Sequence, residues 1–488
     1  MAIDTPSSEY KEMKKKWDLP LTLLGGTQAM RDAGIKYLPK EPNESKEAYE
    51  VRKQRTFLHN YYRRTIQSLG GQTFIKAVVV KNVPVELEDL QWNFDGAGRN
   101  LSDVAYDLFV DMMVFGKTHA MMDIPSIEAL GITNYADYRQ SGLLPYCMVV
   151  SPLNLIGWKV TYESGIADLE NIRIFTQSVE EDPDDEFEEV IVDRLQIVRK
   201  NTVKHYVRRS GGLKTDKDGG WTQEPDSKNT LGYVPLHTAY ADRTGFLTSN
   251  PPLEDLAWLN LRHWQSSSDQ NNILHVARVP FILGTGFDEG DFNNAELGIN
   301  RIVVSSNPEA NMKFVEHSGA AINSGRQDLK DIEQAISILG ADLIMNKSVS
   351  RQTATAREID RSESLSVIQV ALRNLEQLVE NLYQTAGMLI GVDATEVSCS
   401  IANELSMSSD PNPTDALLKL RELGLSEDVI LAEAQRRGLL AEYVTAADLD
   451  LTMWREEQLQ KLQLTENLTE NFDDMSGDTN EESTQEDS

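Results

Sequence analysis

The chain has 488 residues, with 47 Lys and Arg against 77 Asp and Glu for a formal net charge of −30, and it is 40% hydrophobic and 25% charged. One core does not fill that length, so two or more domains are expected, with the composition of a soluble globular protein. The acidity argues against a surface that grips nucleic acid throughout, because phosphate affinity comes from Lys and Arg. It does not argue against DNA passing nearby.

No run of about 18 apolar residues is present to span a bilayer. Residues 1–18 are polar and Lys-rich, without the apolar stretch of a secretory signal, so the protein is expected to act where it is made. The two cysteines, Cys147 and Cys399, exclude a disulfide framework or a thiolate metal site and suit a reducing compartment. Both are expected to be small buried hydrophobes.

In chain order, residues 1–44 read as an N-terminal arm. Trp17-Asp18-Leu19-Pro20 and Leu38-Pro39-Lys40-Glu41-Pro42 interrupt regular structure, and order there is expected to depend on a neighbour. From Ser45, a good N-cap, one helix is predicted through Tyr49, Thr56, Phe57, Tyr61 and Ile66 until Gly70-Gly71 stops it. A second covers 101–115, with Leu101, Val104, Ala105, Leu108, Phe109 and Met112 on its apolar face, and ends at Gly116. Over 145–240 the pattern turns to short β-branched and aromatic runs, predicting strands of a mostly antiparallel sheet at 146–150, 172–176, 190–200, 203–208 and 233–239. The acidic run 180–189 and the segment 211–229 read as surface loops between them.

Asn250-Pro251-Pro252 opens a helix running from Leu253 to about Leu274 and containing Leu256, Leu259, Trp264 and Ile273. An insert follows, with strand candidates at 279–283, 301–305 and 312–316 and Gly284, Gly286 and Gly290 as turn glycines. It is too small to bury a good core and is expected to be stabilised by neighbouring copies.

The strongest periodicity lies in 318–391. Ile322, Leu329, Ile332, Ile336, Leu339 and Leu343 form one helical stripe. Leu365, Ile368, Leu372, Leu375, Val379, Leu382, Ala386 and Leu389 form a second, on a helix from Thr353 to Ile390 that at about 1.5 Å per residue is about 57 Å long. Between them, Asn346-Lys347-Ser348-Val349-Ser350-Arg351-Gln352 is basic and free of acids. It reads either as a solvated helix–helix connection or as a loop that touches a polyanion. Beyond Asp410-Pro411-Asn412-Pro413, Thr414 opens a small helical module with Leu417, Leu420, Leu423, Val429, Ile430 and Leu440. Residues 466–488 carry nine acids and no Lys or Arg, so they are expected to be disordered until bound.

Catalytic chemistry is not apparent. Gly116-Lys117-Thr118 resembles the end of a phosphate-binding loop, but the earlier Gly is missing and the tripeptide closes a helix instead of opening one, which favours a helix C-cap. Gly284, Gly286 and Gly290 miss the dinucleotide spacing by one residue. The seven His show no metal-ligand spacing, and no G-x-S-x-G elbow exists. Neither enzymatic activity, nor a cofactor, nor a metal is expected.

The order of elements, with Tyr37-Leu38-Pro39 through Glu50, Arg55 to Phe74, Ser318-Gly319-Ala320-Ala321, Leu339-Gly340-Ala341-Asp342-Leu343 and Thr353-Ala354-Thr355-Ala356, resembles portal proteins, the head-to-tail connectors of tailed double-stranded DNA bacteriophages. The likeness covers about residues 36–460. It implies an α+β, predominantly helical, portal-like fold: a wing over 45–252, stem helices at 253–275 and 318–345, a clip at 276–317, a tunnel loop at 346–352, a wing beam helix and following segment over 353–412, and a crown at 413–465.

By the same resemblance, the chain would form a homo-oligomeric ring, usually a dodecamer, at one capsid vertex. Double-stranded DNA would pass through it independently of sequence during packaging and ejection, with Lys347, Ser348 and Arg351 facing it. Asp288, Glu289 and Asp291 in the clip would dock terminase and then a head–tail adaptor. Major capsid and scaffolding proteins would be further partners, with assembly in the host cytoplasm, residence in the virion and no membrane association. A like-charged channel wall lets DNA slide. Two other readings stay open: a packaging ATPase using Gly116-Lys117-Thr118, and a helical scaffold or adaptor of a large assembly without a DNA path.

Overall fold

The computed structural model describes residues 3–125, 143–163, 165–182, 185–209, 220–278, 281–286, 307–309, 311–315, 319–339 and 354–401. The chain divides into two compact units, Met1–Ser406 and Met407–Ser488. The predicted helical module at 413–465 and the acidic segment 466–488 lie outside the described residues, which belong to the first unit.

The expected N-terminal arm is instead a helix, α1 (Ser8–Ala33), capped by the Ser7 hydroxyl accepting from the Tyr10 amide. Trp17, Leu23 and Met30 are fully buried, and the Trp17 ring meets Tyr10 and Phe115 edge-on at 5.9 and 5.2 Å. Each such side chain gains about 1.5–3 kcal/mol on burial, so several together offset the roughly 3 kcal/mol that Pro20 costs inside a helix. The kink falls later, at Gly26, whose φ of 82° needs a glycine. The stretch expected to be an arm therefore supplies part of the core.

The single helix predicted from Ser45 is two, α2 (Lys46–Arg55) and α3 (Tyr61–Thr73). Ser45 caps the first as expected. The break comes from Asn60, whose side chain caps α3 by accepting from the Arg63 amide while donating to Leu23 O. Gly70 and Gly71 do not end α3. Gly70 lies within it, against the Tyr106 ring, where a Cβ would stand 2.7 Å from a ring carbon.

After the short strand β1 (Val79–Lys81), helix α4 (Leu101–Phe115) buries the predicted face and ends at Gly116, in the left-handed conformation with φ 78°. Its successor β2 (Lys117–Asp123) has no counterpart among the predicted strands, yet it is the central strand of a three-stranded antiparallel sheet, between β3 (Tyr146–Val150) and a later strand, β10 (His237–Tyr240). All of Lys117 to Met122 is buried.

A second antiparallel sheet follows, with β4 (Leu155–Glu163), β5 (Ile166–Asp182), β6 (Asp185–Arg199), β7 (Thr202–Arg209) and β8 (Thr222–Gln223) in sequence order, and β9 (Ser227–Lys228) also paired to β7. The acidic run 180–189, predicted as a loop, lies mostly within the β5–β6 ladder. Glu180 pairs with Val190, and Glu181 with Glu189. A small apolar cluster of Met121, Val150, Leu155, Ile172, Ile174, Val198, Val234 and Leu247 joins residues of the two sheets. β10 is followed by a two-stranded pair, β11 (Arg243–Gly245) and β12 (Thr248–Ser249).

Helix α5 (Glu254–Ala277), strands β13 (Phe281–Thr285) and β14 (Asn311–Val315), helix α6 (Ala320–Ile338), helix α7 (Ala354–Ile390) and strand β15 (Ser398–Ser400) complete the described chain. The 37-residue α7 begins within a residue of its predicted start and ends where predicted. Ile368, Leu372, Leu375, Val379, Leu382 and Ala386 are buried, as their spacing requires. β15 pairs antiparallel with β1 and is tied to α7 by Glu380, which accepts from the Cys399 amide, and by Glu376, which accepts from the Ile401 amide. Cys147 and Cys399 are free and buried, and burial pushes both thiols up to about 12.

Candidate functional site

The candidate site is the helix pair α5–α6 with the hairpin between them and α7 after them. Its sequence logic begins at α5, where Leu256, Ala257, Leu261 and Trp264 recur at helical spacing and are buried. Asn260, on the same face, accepts from the Tyr62 amide and donates to His59 O, so it fastens the α2–α3 connection onto α5.

Polar bonds fix α6 on α5. Arg262 pairs with Asp328 at 3.0 Å, Ser266 Oγ donates to the same carboxylate at 2.7 Å, and Gln270 donates to Ile322 O at 3.0 Å. His263 lies 3.4 Å from Glu333, whose carboxylate also accepts from the Tyr61 hydroxyl. Residue numbers rise along one helix as they fall along the other, so the pair is antiparallel. Gly325 permits the close approach, since a Cβ there would overlap Gln270 Oε1. Burial holds His263 below its ordinary value, with the Glu333 hydrogen bond pulling the other way.

The predicted stripe on α6 is met in part. Ile332 and Ile336 are buried and Ile322 and Leu329 half-buried, but Leu339 follows the helix end and is 44% exposed, and Leu343 lies outside the described residues. Ile338 beside it is 60% exposed, and the antiparallel register carries Trp258, 54% exposed, to the same end of the pair. That end of α5–α6 thus presents uncovered apolar surface.

Two of the three strand candidates of the insert are present. β13 and β14 pair antiparallel from Phe281↔Val315 to Thr285↔Asn311, with Asn307 donating to Gly286 O at 2.8 Å. The candidate at 301–305 lies outside the described residues. Gly286 has the φ of 77° of a turn glycine, whereas Gly284 sits inside β13 opposite Met312. Asp288, Glu289 and Asp291, sited in the chain between β13 and β14, and Lys347, Ser348 and Arg351, sited between α6 and α7, all lie outside the described residues.

Gly116-Lys117-Thr118 is a helix cap leading into a strand. A Cβ on Gly116 would overlap the Asn250 carbonyl, and Lys117 Nζ donates to Leu247 O at 2.5 Å between the rings of Trp17 and Trp158, whose centroids are 5.7 and 5.0 Å away. This buried Lys faces the protein interior. Burial pushes it down to about 7, and His119, two residues along the strand, is depressed by its own burial and by Lys117. Sequence reasoning missed this environment because the strand that buries Lys117 reads as polar. Among the described residues no group of three or more His, Cys, Asp or Glu could hold a metal ion, and no helix is long and apolar enough to cross a membrane.

A family model described as a domain of unknown function (DUF4055) matches residues 252–388, the stretch from the start of α5 almost to the end of α7. No curated protein matches the sequence. Among solved structures, the chain is similar to a chain in the neck of a native gene transfer agent particle computed with C12 symmetry, at 11% identity and a TM-score of 0.41, over 79% of this chain and 90% of that one. A chain in the virion of the native gene transfer agent particle gives 11% identity and 0.41 over 77% and 88%. One in the neck of the empty particle computed with C6 symmetry gives 12% and 0.39 over 78% and 89%. Scores of this size do not establish a shared fold.

Proposed function

We propose that this chain is the subunit of a portal-type ring through which double-stranded DNA enters and leaves a phage-like capsid. The observation that carries the reading is the run α5, hairpin, α6, α7: two antiparallel helices joined at one end by a small hairpin and followed by a 37-residue helix. This is the order that the sequence resemblance to portal proteins implies for stem, clip, stem and beam. The uncovered Trp258, Ile338 and Leu339 give the helix pair a reason to pack laterally against further copies.

In this reading the ring is a dodecamer in the virion, built in the host cytoplasm and set among capsid and scaffolding proteins. The 276–317 insert docks terminase and then an adaptor through Asp288, Glu289 and Asp291, and 346–352 lines the channel. Electron microscopy of the purified full chain at micromolar concentration tests it, with closed rings around an axial channel as the expected result. Monomers in micrographs and by light scattering would overturn it, and assemblies without an axial opening would leave a scaffold or adaptor as the better reading.

A further inference from the structure

The β5–β6 ladder outruns its neighbours. β4 accompanies β5 only between Leu155↔Ile174 and Glu163↔Ile166, and β7 accompanies β6 only as far as Val192↔Arg209, whereas β5 and β6 continue pairing to Asp182↔Asp185. Past Phe175, whose amide donates to Asn154 O, the two strands have only each other among the described residues, over about 20 Å at some 3.4 Å per residue. A two-stranded ribbon is marginal in water by itself.

This one presents an apolar pair to solvent, Val179 directly opposite Ile191, 63% and 53% exposed. It also sets Glu181 opposite Glu189, a like-charge cross-strand pair that destabilises the ribbon while it stays solvated. Glu180 is drawn to Arg194 at 2.6 Å, but Glu181 and Glu189, on the same face as Val179 and Ile191, are exposed with no cation beside them among the described residues. The face is therefore built to be covered by something both apolar and basic.

The stretch 51–64 of this same chain has that character. Val51 and Phe57 are 43% and 57% exposed, and Arg55 and Arg64 are exposed without a carboxylate partner among the described residues. In a chain with a formal net charge of −30 such a patch is unusual. Exposed Arg, aromatic and aliphatic groups within one short stretch are also what interfaces select. No bond joins ribbon and patch within the chain among the described residues.

We infer that the β5–β6 ribbon of one copy docks on the Val51–Arg55–Phe57–Arg64 patch of a second copy. The contact is head-to-tail: each copy gives a ribbon and receives one, which closes when repeated round a ring. This rests on the ring reading above, and adds which surfaces meet.

Charge exchange tests it on the full chain, read by light scattering and native mass spectrometry at low ionic strength, where such pairs are least screened. Glu181→Lys with Glu189→Lys, and separately Arg55→Glu with Arg64→Glu, are each expected to weaken self-association by about tenfold or more. Mixing the two variants is expected to restore association in alternating assemblies, since the altered ribbon meets an altered patch and the unaltered ribbon an unaltered one, and combining all four changes in one chain is expected to restore whole assemblies as well. Val179→Ser with Ile191→Ser, which leaves every charge in place, is expected to weaken association as well. Wild-type assemblies that the charge variants leave unchanged, or a four-fold variant no better than its parents, would overturn this contact and leave the ring reading standing. A monomeric wild type would remove both, and intact rings that no longer join heads would assign the ribbon to another protein.

Discussion

At the scale of single residues, the fold is held by buried charges that composition does not reveal. Arg52, only 4% exposed, forks onto Glu44 at 2.8 and 2.9 Å, donates to Pro39 O at 2.8 Å and reaches Ser268 Oγ on α5 at 3.3 Å. The guanidinium holds the Glu44 carboxyl below the usual carboxylate range. Removing one partner of such a pair strands the other, so Arg52→Ala is expected to lower the unfolding free energy by about 3 kcal/mol, and Arg52→Leu with Glu44→Leu by less. Urea denaturation of the three chains checks this. Because the folded value is depressed, the contribution of Glu44 is present above the unfolded value of about 4.3 and is lost as pH falls through the folded one. The stability gap between wild type and Glu44→Gln is accordingly expected to close in acid. Lys117 behaves in the opposite sense to a surface Lys. The unfolded chain keeps its proton up to about pH 10.4 and the folded chain only to about 7, so stability rises with pH between them. Lys117→Met removes a burden of up to about 4 kcal/mol at pH 7, against about 1–2 kcal/mol for the lost Leu247 bond and ring contacts. The variant is expected to be more stable than wild type at pH 7 and to lose that advantage by pH 10, as urea midpoints at the two values would show.

At the scale of elements, legibility followed periodicity. α4 buries the residues its spacing assigned and the described part of α7 does so except for the half-buried Leu389, because each sets a single apolar stripe against one core. α1 was illegible for two reasons: Pro20 reads as a breaker, and the buried Trp17, Leu19, Leu23 and Met30 are partly set off by a kink at Gly26. β2 was missed because Lys117, Thr118 and His119 are polar, although all three are buried in the middle of a sheet. The acidic strand ends of β5 and β6 were read as a loop because eight of the ten residues 180–189 are acidic and Pro183 interrupts the run. The Asn60 break between α2 and α3 is set by Leu23 and by the Asn260 contacts, which lie far away in sequence. The end of α7 shows the converse, a local signal with tertiary cause. Gly387 lies within the helix, and the chain folds back over it, so that a Cβ would stand 2.5 Å from Val392 O and 2.9 Å from Ala394 Cβ. Ala exceeds Gly in helix propensity by about 1 kcal/mol, yet Gly387→Ala is expected to destabilise by about 2 kcal/mol, because backbone must move to admit the methyl. A rise in melting temperature would show that the turn after α7 gives way freely.

At the scale of the whole molecule, the residues proposed to meet DNA are legible only as charge pattern. Lys347 and Arg351 are the only charged side chains between Asp342 and Arg357, in a chain that is otherwise strongly acidic. They fall where α6 has ended at Ile338 and α7 has yet to begin at Ala354. If copies of the chain close into a ring, two cations per subunit make a basic collar in an acidic channel. Each phosphate contact is weak and screened by salt, so such a collar steadies a moving duplex without arresting it, as base-reading contacts would. A solvated helix connection carrying the same two charges has no such consequence. Lys347→Glu with Arg351→Glu is expected to leave ring formation and thermal stability within about 0.5 kcal/mol of wild type, as surface substitutions usually do. It is expected to lower the DNA packaged per head, and more steeply at low ionic strength, where the contacts replaced are strongest. Heads that fill to the wild-type level on intact variant rings would remove 346–352 from the DNA path while leaving the ring itself in place.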